Sequence, residues 1–295
     1  MAAWAQIAAE LTRLTGLRCA VEPAARVAGG SINACYRWPT AAEPLFVKLT
    51  GEGERTVLEA EAQGLAELAR ARALRVPGVR GVGCAGGAAF LALEWLERGV
   101  ADAACERRLG TGLAALHAVT ARGFGWRRDN TIGRTPQANG MLDSWAEFFR
   151  ERRLRPQLAL AAERGFGPLL GAAGERLLAA VGTLLGAHRP AASLLHGDLW
   201  GGNWLATAGG EPALFDPAVY YGDRETDLAM TQLFGGFGPA FYRAYQSAAP
   251  LPPGAELRGE LYNLYHVLNH ANLFGGGYAQ QAHGMILRLL AELHG

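Results

Sequence analysis

Lysine is nearly missing from this 295-residue chain. Of its 28 basic residues one is a lysine, Lys48, and the rest are arginines. Close cysteine pairs are missing too. Cys19, Cys35, Cys84 and Cys105 are scattered, which argues against a disulfide framework or a zinc site and suits a reducing cytoplasm. A dominant charge is absent: the net charge is +1, so no broad field draws the chain to nucleic acid or an acidic membrane. Long hydrophobic runs are scarce, and none stands out as long enough to span a bilayer. The opening "MAAWAQIAAELTRLTG" lacks a basic start, an extended apolar stretch and a cleavage site. Trp4, Ile7, Leu11 and Leu14 share one helical face there, so it reads as a mature helix. There is no internal repeat and no low-complexity linker.

Half of the residues are hydrophobic and 19% are charged, as in a globular protein with a sizeable core. The first third reads as strands. "ARVAGGSINACYRWPT" is strand, glycine turn and strand, and "PLFVKLT" is another. "RTVLEAEAQGLAELARA" has helical spacing, and "RVPGVRGVG" and "AAFLALEWLE" pair as strands again. From about Gly99 helical periodicity dominates, in "CERRLGTGLAALHAV", "MLDSWAEFFRERRLRPQLALA", "GERLLAAVGTLLGAH", "FGPAFYRAYQSA" and "ELYNLYHVLNHANLF". The pattern predicts an α+β fold of two lobes, 1–97 rich in β-structure and 98–295 mainly helical. "GVGCAG" at 81–86 matches a dinucleotide-binding G-x-G-x-x-G. That site needs a helix next, whereas "AAFLALEW" continues as a strand, so a hairpin turn is expected. The glycines of a Walker A loop do not precede Lys48.

Against a chain-wide replacement of lysine by arginine, Lys48 calls for a reason of its own. It is either a strand-edge residue reaching solvent or a compact point charge for phosphate. Downstream, "LLHGDLWGGNWL" places Asp198 five residues before Asn203 between apolar flanks, and "PALFDPAVYYGD" follows with Asp216. Singly, such residues cap turns. Together with an upstream strand lysine they follow the order of a protein-kinase-like site. There one Asp accepts a hydroxyl proton, and an Asn and a later Asp hold Mg2+ against the phosphates of ATP. Asp198 is thus the expected base, Asn203 and Asp216 the metal ligands, and Lys48 the phosphate contact. Glu61 or Glu59 is its partner, with Glu61 on the side of Leu65 and Leu68. Gly29, Gly30 and Ser31 form the expected phosphate-covering turn. Glu94, Trp95 and Leu96 form the inter-lobe hinge for adenine.

The segments "AGGSINACYRW", "FVKLT", "EAEAQGL", "LEWLE", "DNTIGRTPQANG", "SWAEFFRERRLRPQL", "LLHGDLWGGNW", "DPAVYYGDRETDLAMTQLFGGF" and "LYNLYHVLNHANLFGG" cover nearly the whole chain. In them it resembles the fructosamine (ketosamine) kinases, a branch of the aminoglycoside-phosphotransferase-like kinases. "HGDLWGGNW" and "DPAVYYGDRETDLAM" carry the resemblance most specifically. It implies ATP-dependent phosphorylation of the sugar 3-hydroxyl of a ketosamine, either small or borne by a glycated protein. The product is unstable and releases the amine, which amounts to deglycation and repair. Trp200 stands where protein kinases carry a lysine; it stacks on the sugar or packs in the core. His270 in "LNHANLFGGGY", like Asn130, Gln137 and Asn269, either lines the acceptor pocket or packs a helix or turn. His196 is expected to position its loop, and Asp227 to cap a helix or hold that loop's N–H groups. A kinase of another small hydroxyl compound (aminoglycoside, choline or pentose) and a non-catalytic nucleotide binder remain the alternatives. The cytoplasm is the expected compartment, and either a monomer or a homodimer suits the sequence.

Overall fold

The computed structural model of the chain describes residues 4–27 and 34–293. Helix α1 (Trp4–Thr15) precedes β1 (Ala25–Val27), β2 (Ala34–Trp38) and β3 (Leu45–Gly51), which lead into helix α2 (Arg55–Ala71). Then come β4 (Val79–Ala85) and β5 (Ala88–Glu94). These five strands form one antiparallel sheet in the order β1-β2-β3-β5-β4. Gly86 and Gly87, with φ of 60° and 76°, make the tight β4–β5 turn. The "GVGCAG" segment is therefore part of a hairpin, as its following strand requires.

Strand alternation divides this sheet between two helices. Leu45, Val47 and Leu49 of β3 pack with Phe90, Ala92, Trp38 and the α1 residues Ile7 and Leu11. On the opposite face Leu91 and Leu93 pack with Leu58 and Leu65 of α2. Lys48 is out of phase with the three buried leucine and valine positions, so the pleat turns it toward α2. The Gly29, Gly30 and Ser31 turn lies outside the described residues.

The remainder is mainly helical: α3 (Ala103–His117), α4 (Trp145–Phe148), α5 (Arg155–Ala161), α6 (Gly167–Leu185), α7 (Glu225–Leu233), α8 (Pro239–Ala248), α9 (Ala255–Phe274) and α10 (Tyr278–Ala291). Short strands sit among them. A three-stranded sheet has the order β12 (Tyr220–Gly222), β9 (Ala192–Leu195), β6 (Thr120–Ala121). Two hairpins join β7 (Asn130–Ile132) to β8 (Thr135–Gln137) and β10 (Trp204–Ala206) to β11 (Pro212–Leu214). Between β5 and α3, Gly99 N–H donates to Ala206 O and Ala208 N–H to Glu97 O, both at 2.8 Å. These bonds pin the connecting segment to the β10–β11 hairpin.

One expectation needs correcting. The helical segments between Trp145 and Leu185 contain a window long and apolar enough, by length and composition, to cross a membrane. The sequence hides it because Glu175 and Arg176 interrupt the apolar residues of Gly167–Leu185. In the fold Gly165, at φ 89°, breaks the stretch. Leu170, Leu177, Leu178 and Val181 of α6 are buried in the large core with Phe148, Leu268 and Ile286, which is the packing of a core helix.

Candidate active site

Two ion pairs gather on Lys48. Its Nζ donates to Glu61 Oε1 at 2.6 Å and to Asp216 Oδ1 at 2.5 Å. Glu59 faces away and pairs with Arg55, so α2 offers Glu61 to the sheet. The ammonium is buried, and burial alone works against its charge. The carboxylates of Asp216 and Glu61 outweigh that and hold its pKa above the ordinary lysine value. α2 is held in place for this contact. A Cβ on Gly64 would lie 3.3 Å from Val219, and Tyr221 donates to Glu67 at 3.0 Å. Asp216 has φ 55°, a left-handed conformation unusual for a non-glycine residue and disfavoured before Pro217. Its carboxylate is thereby aimed at Lys48.

The loop after β9 is built around Asp227. That buried carboxylate accepts N–H bonds from His196 at 2.8 Å and Gly197 at 2.9 Å, and lies 3.2 Å from His117 Nε2. Burial opposes its charge, but the bonds from His117 and the loop hold its pKa below the ordinary range. His196 Nε2 donates to Phe215 O at 2.9 Å, and Nδ1 accepts from Asp198 N–H at 3.3 Å. Burial keeps that ring neutral by lowering its pKa. Gly197 is required here: φ is 83°, and a Cβ would lie 2.1 Å from Ala218 O. Asn203 Nδ2 donates to Asp198 O at 2.8 Å and to Asp198 Oδ2 at 3.1 Å. Removal from water, then the nearby charge of Asp216, pushes the pKa of Asp198 up to about 7.

Lys48, Glu61, Asp198, Trp200, Asn203 and Asp216 line one cleft. The indole of Trp200 is 39% exposed and lies over Gly202, so it is a cleft residue and not part of the core. The β7–β8 hairpin adds Asn130, Thr131, Gly133 and Arg134 to the wall.

The family model for fructosamine kinase matches residues 3–292. The chain belongs to the fructosamine kinase family. A Synechocystis protein named as a probable ketoamine kinase is 47% identical over 98% of this chain and 97% of its own length. The Oryza sativa (japonica) protein-ribulosamine 3-kinase, chloroplastic, is 37% identical over 97% of this chain and 83% of its own. A crystal structure of a candidate fructosamine-3-kinase from Thermobifida fusca superposes with a TM-score of 0.85 at 33% identity, covering 97% of this chain and 98% of that one. The two-lobed kinase-like architecture is thus common to this chain and a solved member of the fructosamine kinase family.

In this family member the donor set suits a hard divalent cation. Lys48 occupies Oδ1 of Asp216, and Asp198 takes both bonds given by the Asn203 amide nitrogen. The second carboxylate oxygen of Asp216 and Oδ1 of Asn203 are the oxygens of this pair that could hold such a cation.

Other expected residues lie elsewhere. Glu94, Trp95 and Leu96 are not among those lining the cleft at Asp198. Glu94 pairs with Leu45 and Lys48 with Leu91, so the segment starts three strand residues, about 10 Å, from Lys48. The Glu94 N–H is committed to Gly78 O at 2.8 Å, and Trp95 Nε1 donates to Glu97 at 2.8 Å. His270 is also outside the cleft lining. It bonds His266 O at 2.8 Å and packs against Phe234, Phe274 and Tyr278, with ring centroids 4.7, 5.5 and 5.2 Å away. Of the remaining expected acceptor residues Asn130 does line the cleft, with its amide donating to Val219 O, whereas Gln137 is buried in the hairpin base and Asn269 lies 3.3 Å from Gln157. His117 escaped the sequence reading because a histidine within the helical spacing of α3 carries no signal of its distant partner.

Proposed function

We propose that this chain is an ATP-dependent ketosamine kinase acting on the sugar 3-hydroxyl, with its lobes meeting near Glu97. The observation that carries the reading is the convergence of Asp198, Asn203, Asp216, Lys48 and Glu61 in one cleft of a fructosamine kinase family member. Asp198 accepts the proton of the attacking hydroxyl as its oxygen bonds to the γ-phosphorus of ATP. The β–γ bridging bond breaks, ADP leaves, and the proton departs from Asp198 to solvent. A carboxylate with a pKa near 7 is matched to that task at neutral pH. Asn203 restrains the Asp198 side chain, and the Asp227 carboxylate holds the loop backbone that carries it. Lys48, kept charged and oriented by Glu61, contacts the phosphates. Asn203 and Asp216 would hold Mg2+, which when bound would neutralise phosphate charge. Trp200 offers an apolar face to the sugar ring. The 3-phosphate leaves an unstable adduct, so amine release follows and the outcome is deglycation. A cytoplasmic site of action belongs to the proposal. Burial pushes the Cys35 thiol in the cleft up to about 11, which keeps it protonated and unreactive there.

Transfer of labelled γ-phosphate should be measured over fructosyl-, ribulosyl- and erythrulosyl-amines beside an aminoglycoside, choline and a pentose. Label on ketosamines alone is the expected result. Label confined to the other acceptors, or ATP hydrolysis that no acceptor stimulates, would refute the reading.

A further inference from the structure

We infer that Arg134 is a specificity residue that recognises a carboxylate on the amine half of the ketosamine, favouring glycated amino acids with a free carboxylate over neutral ketosamines. This rests on the ketosamine reading above.

Arg134 sits at the tip of the β7–β8 hairpin. Ile132 pairs with Thr135, so Gly133 and Arg134 form a two-residue turn, with Gly133 at φ 61°. The base of that hairpin is rigid. Asn130 Nδ2 donates to Val219 O at 2.9 Å, Gln137 Nε2 to Ala218 O at 3.1 Å, and Tyr265 OH to Gln137 Oε1 at 2.7 Å. Behind it the buried Arg153 donates to Ala138 O and Asn139 Oδ1, each at 2.7 Å. The hairpin is therefore fixed to the segment that follows Asp216, and its exposed arginine lines the same cleft as Asp198 and Trp200.

The charges of the cleft make the role specific. Glu54, Glu61, Asp198 and Asp216 line it, and Lys48 is shared between two of them. Among the described residues lining the cleft, Arg134 is the other lysine or arginine. An anionic acceptor approaching Asp198 meets carboxylates unless a cation offsets them. A guanidinium presents a planar fork that fits a carboxylate with two parallel bonds. It lines the same cleft as Trp200 and Asp198, where the proposed mechanism puts the acceptor hydroxyl, and Lys48 already serves the phosphates of ATP.

The test compares fructosyl-glycine with fructosyl-glycinamide, which differ at the carboxylate, in the wild type and in Arg134→Gln and Arg134→Lys. The wild type should favour the carboxylate. Arg134→Gln should lower kcat/KM for fructosyl-glycine about 10- to 100-fold, through KM, the size of a lost charge-assisted hydrogen bond. It should change fructosyl-glycinamide and the KM for ATP less than about threefold, a margin below the loss of one such bond. Arg134→Lys should fall between. Equal losses on both acceptors, no loss on fructosyl-glycine, or a raised KM for ATP would each overturn the inference. A wild type that phosphorylates neither compound would instead overturn the ketosamine reading, and this inference with it.

Discussion

Asp198→Asn separates the catalytic and structural consequences of one charge. Asp198 lies in the cleft near Asp216, and its pKa is pushed from the ordinary 3.8 to about 7. The folded state thus binds its proton more tightly than the unfolded chain does. Ionising Asp198 therefore costs stability, starting as pH rises through about 4 and complete above about 7. The difference of about 3 units corresponds to at most about 4 kcal/mol, and water in the cleft reduces it to about 1–2 kcal/mol. Asparagine keeps an acceptor for Asn203 Nδ2 and removes the charge. The ligand-free variant should melt about 2–6 °C above the wild type at pH 8 and at the same temperature near pH 4. Phosphoryl transfer should fall by roughly 10²–10⁴-fold, the usual worth of a positioned base. Scanning calorimetry at several pH values and single-turnover transfer measure the two effects. A variant that melts lower than the wild type at pH 8 would refute the electrostatic reasoning. Near-normal turnover would remove Asp198 from the chemistry.

Asp216→Ala should abolish productive ATP·Mg2+ binding, whereas Asn203→Ala should raise the Mg2+ requirement, because one ligand is anionic and the other neutral; activity titrated against Mg2+ distinguishes them. An Asn203→Ala enzyme with unchanged Mg2+ dependence would show that this loop is misassigned. Trp200→Ala should raise KM for a ketosamine by about 5- to 150-fold, the range for loss of aromatic stacking, and leave the KM for ATP within a few-fold. Its melting temperature should hold, since the indole is 39% exposed; equal weakening of both substrates would rule out an acceptor-specific role. Asp227→Asn removes the anion that accepts from His196 and Gly197, so it should destabilise the fold by about 2–4 kcal/mol and lower kcat. Urea unfolding and steady-state kinetics test this, and wild-type values of both would show that Asp227 does not organise the loop.

Local pattern alone determined much of this protein. Short apolar runs announced β3 and β5, and helical spacing announced α2 over the residues it occupies. The five-residue step from Asp198 to Asn203 marked the candidate catalytic loop, because a short loop keeps its members close whatever the rest of the chain does. Tertiary structure decided what depends on residues far apart. Glu59 and Glu61 both lie near the start of α2, and only the packing of α2 on the sheet turns Glu61 to Lys48 and leaves Glu59 with Arg55. Trp200 could have filled a core; the fold of its loop over Gly202 puts it in the cleft instead. His117 reaches Asp227 across 110 positions of sequence, and Arg134 enters the cleft because its hairpin is fastened to Ala218 and Val219. Periodicity reports which face of an element is apolar, but it does not encode which distant element that face meets. Such partners follow from the burial of the whole core, and with them the pKa of Asp198, since the water it loses and the charges it gains come from other segments.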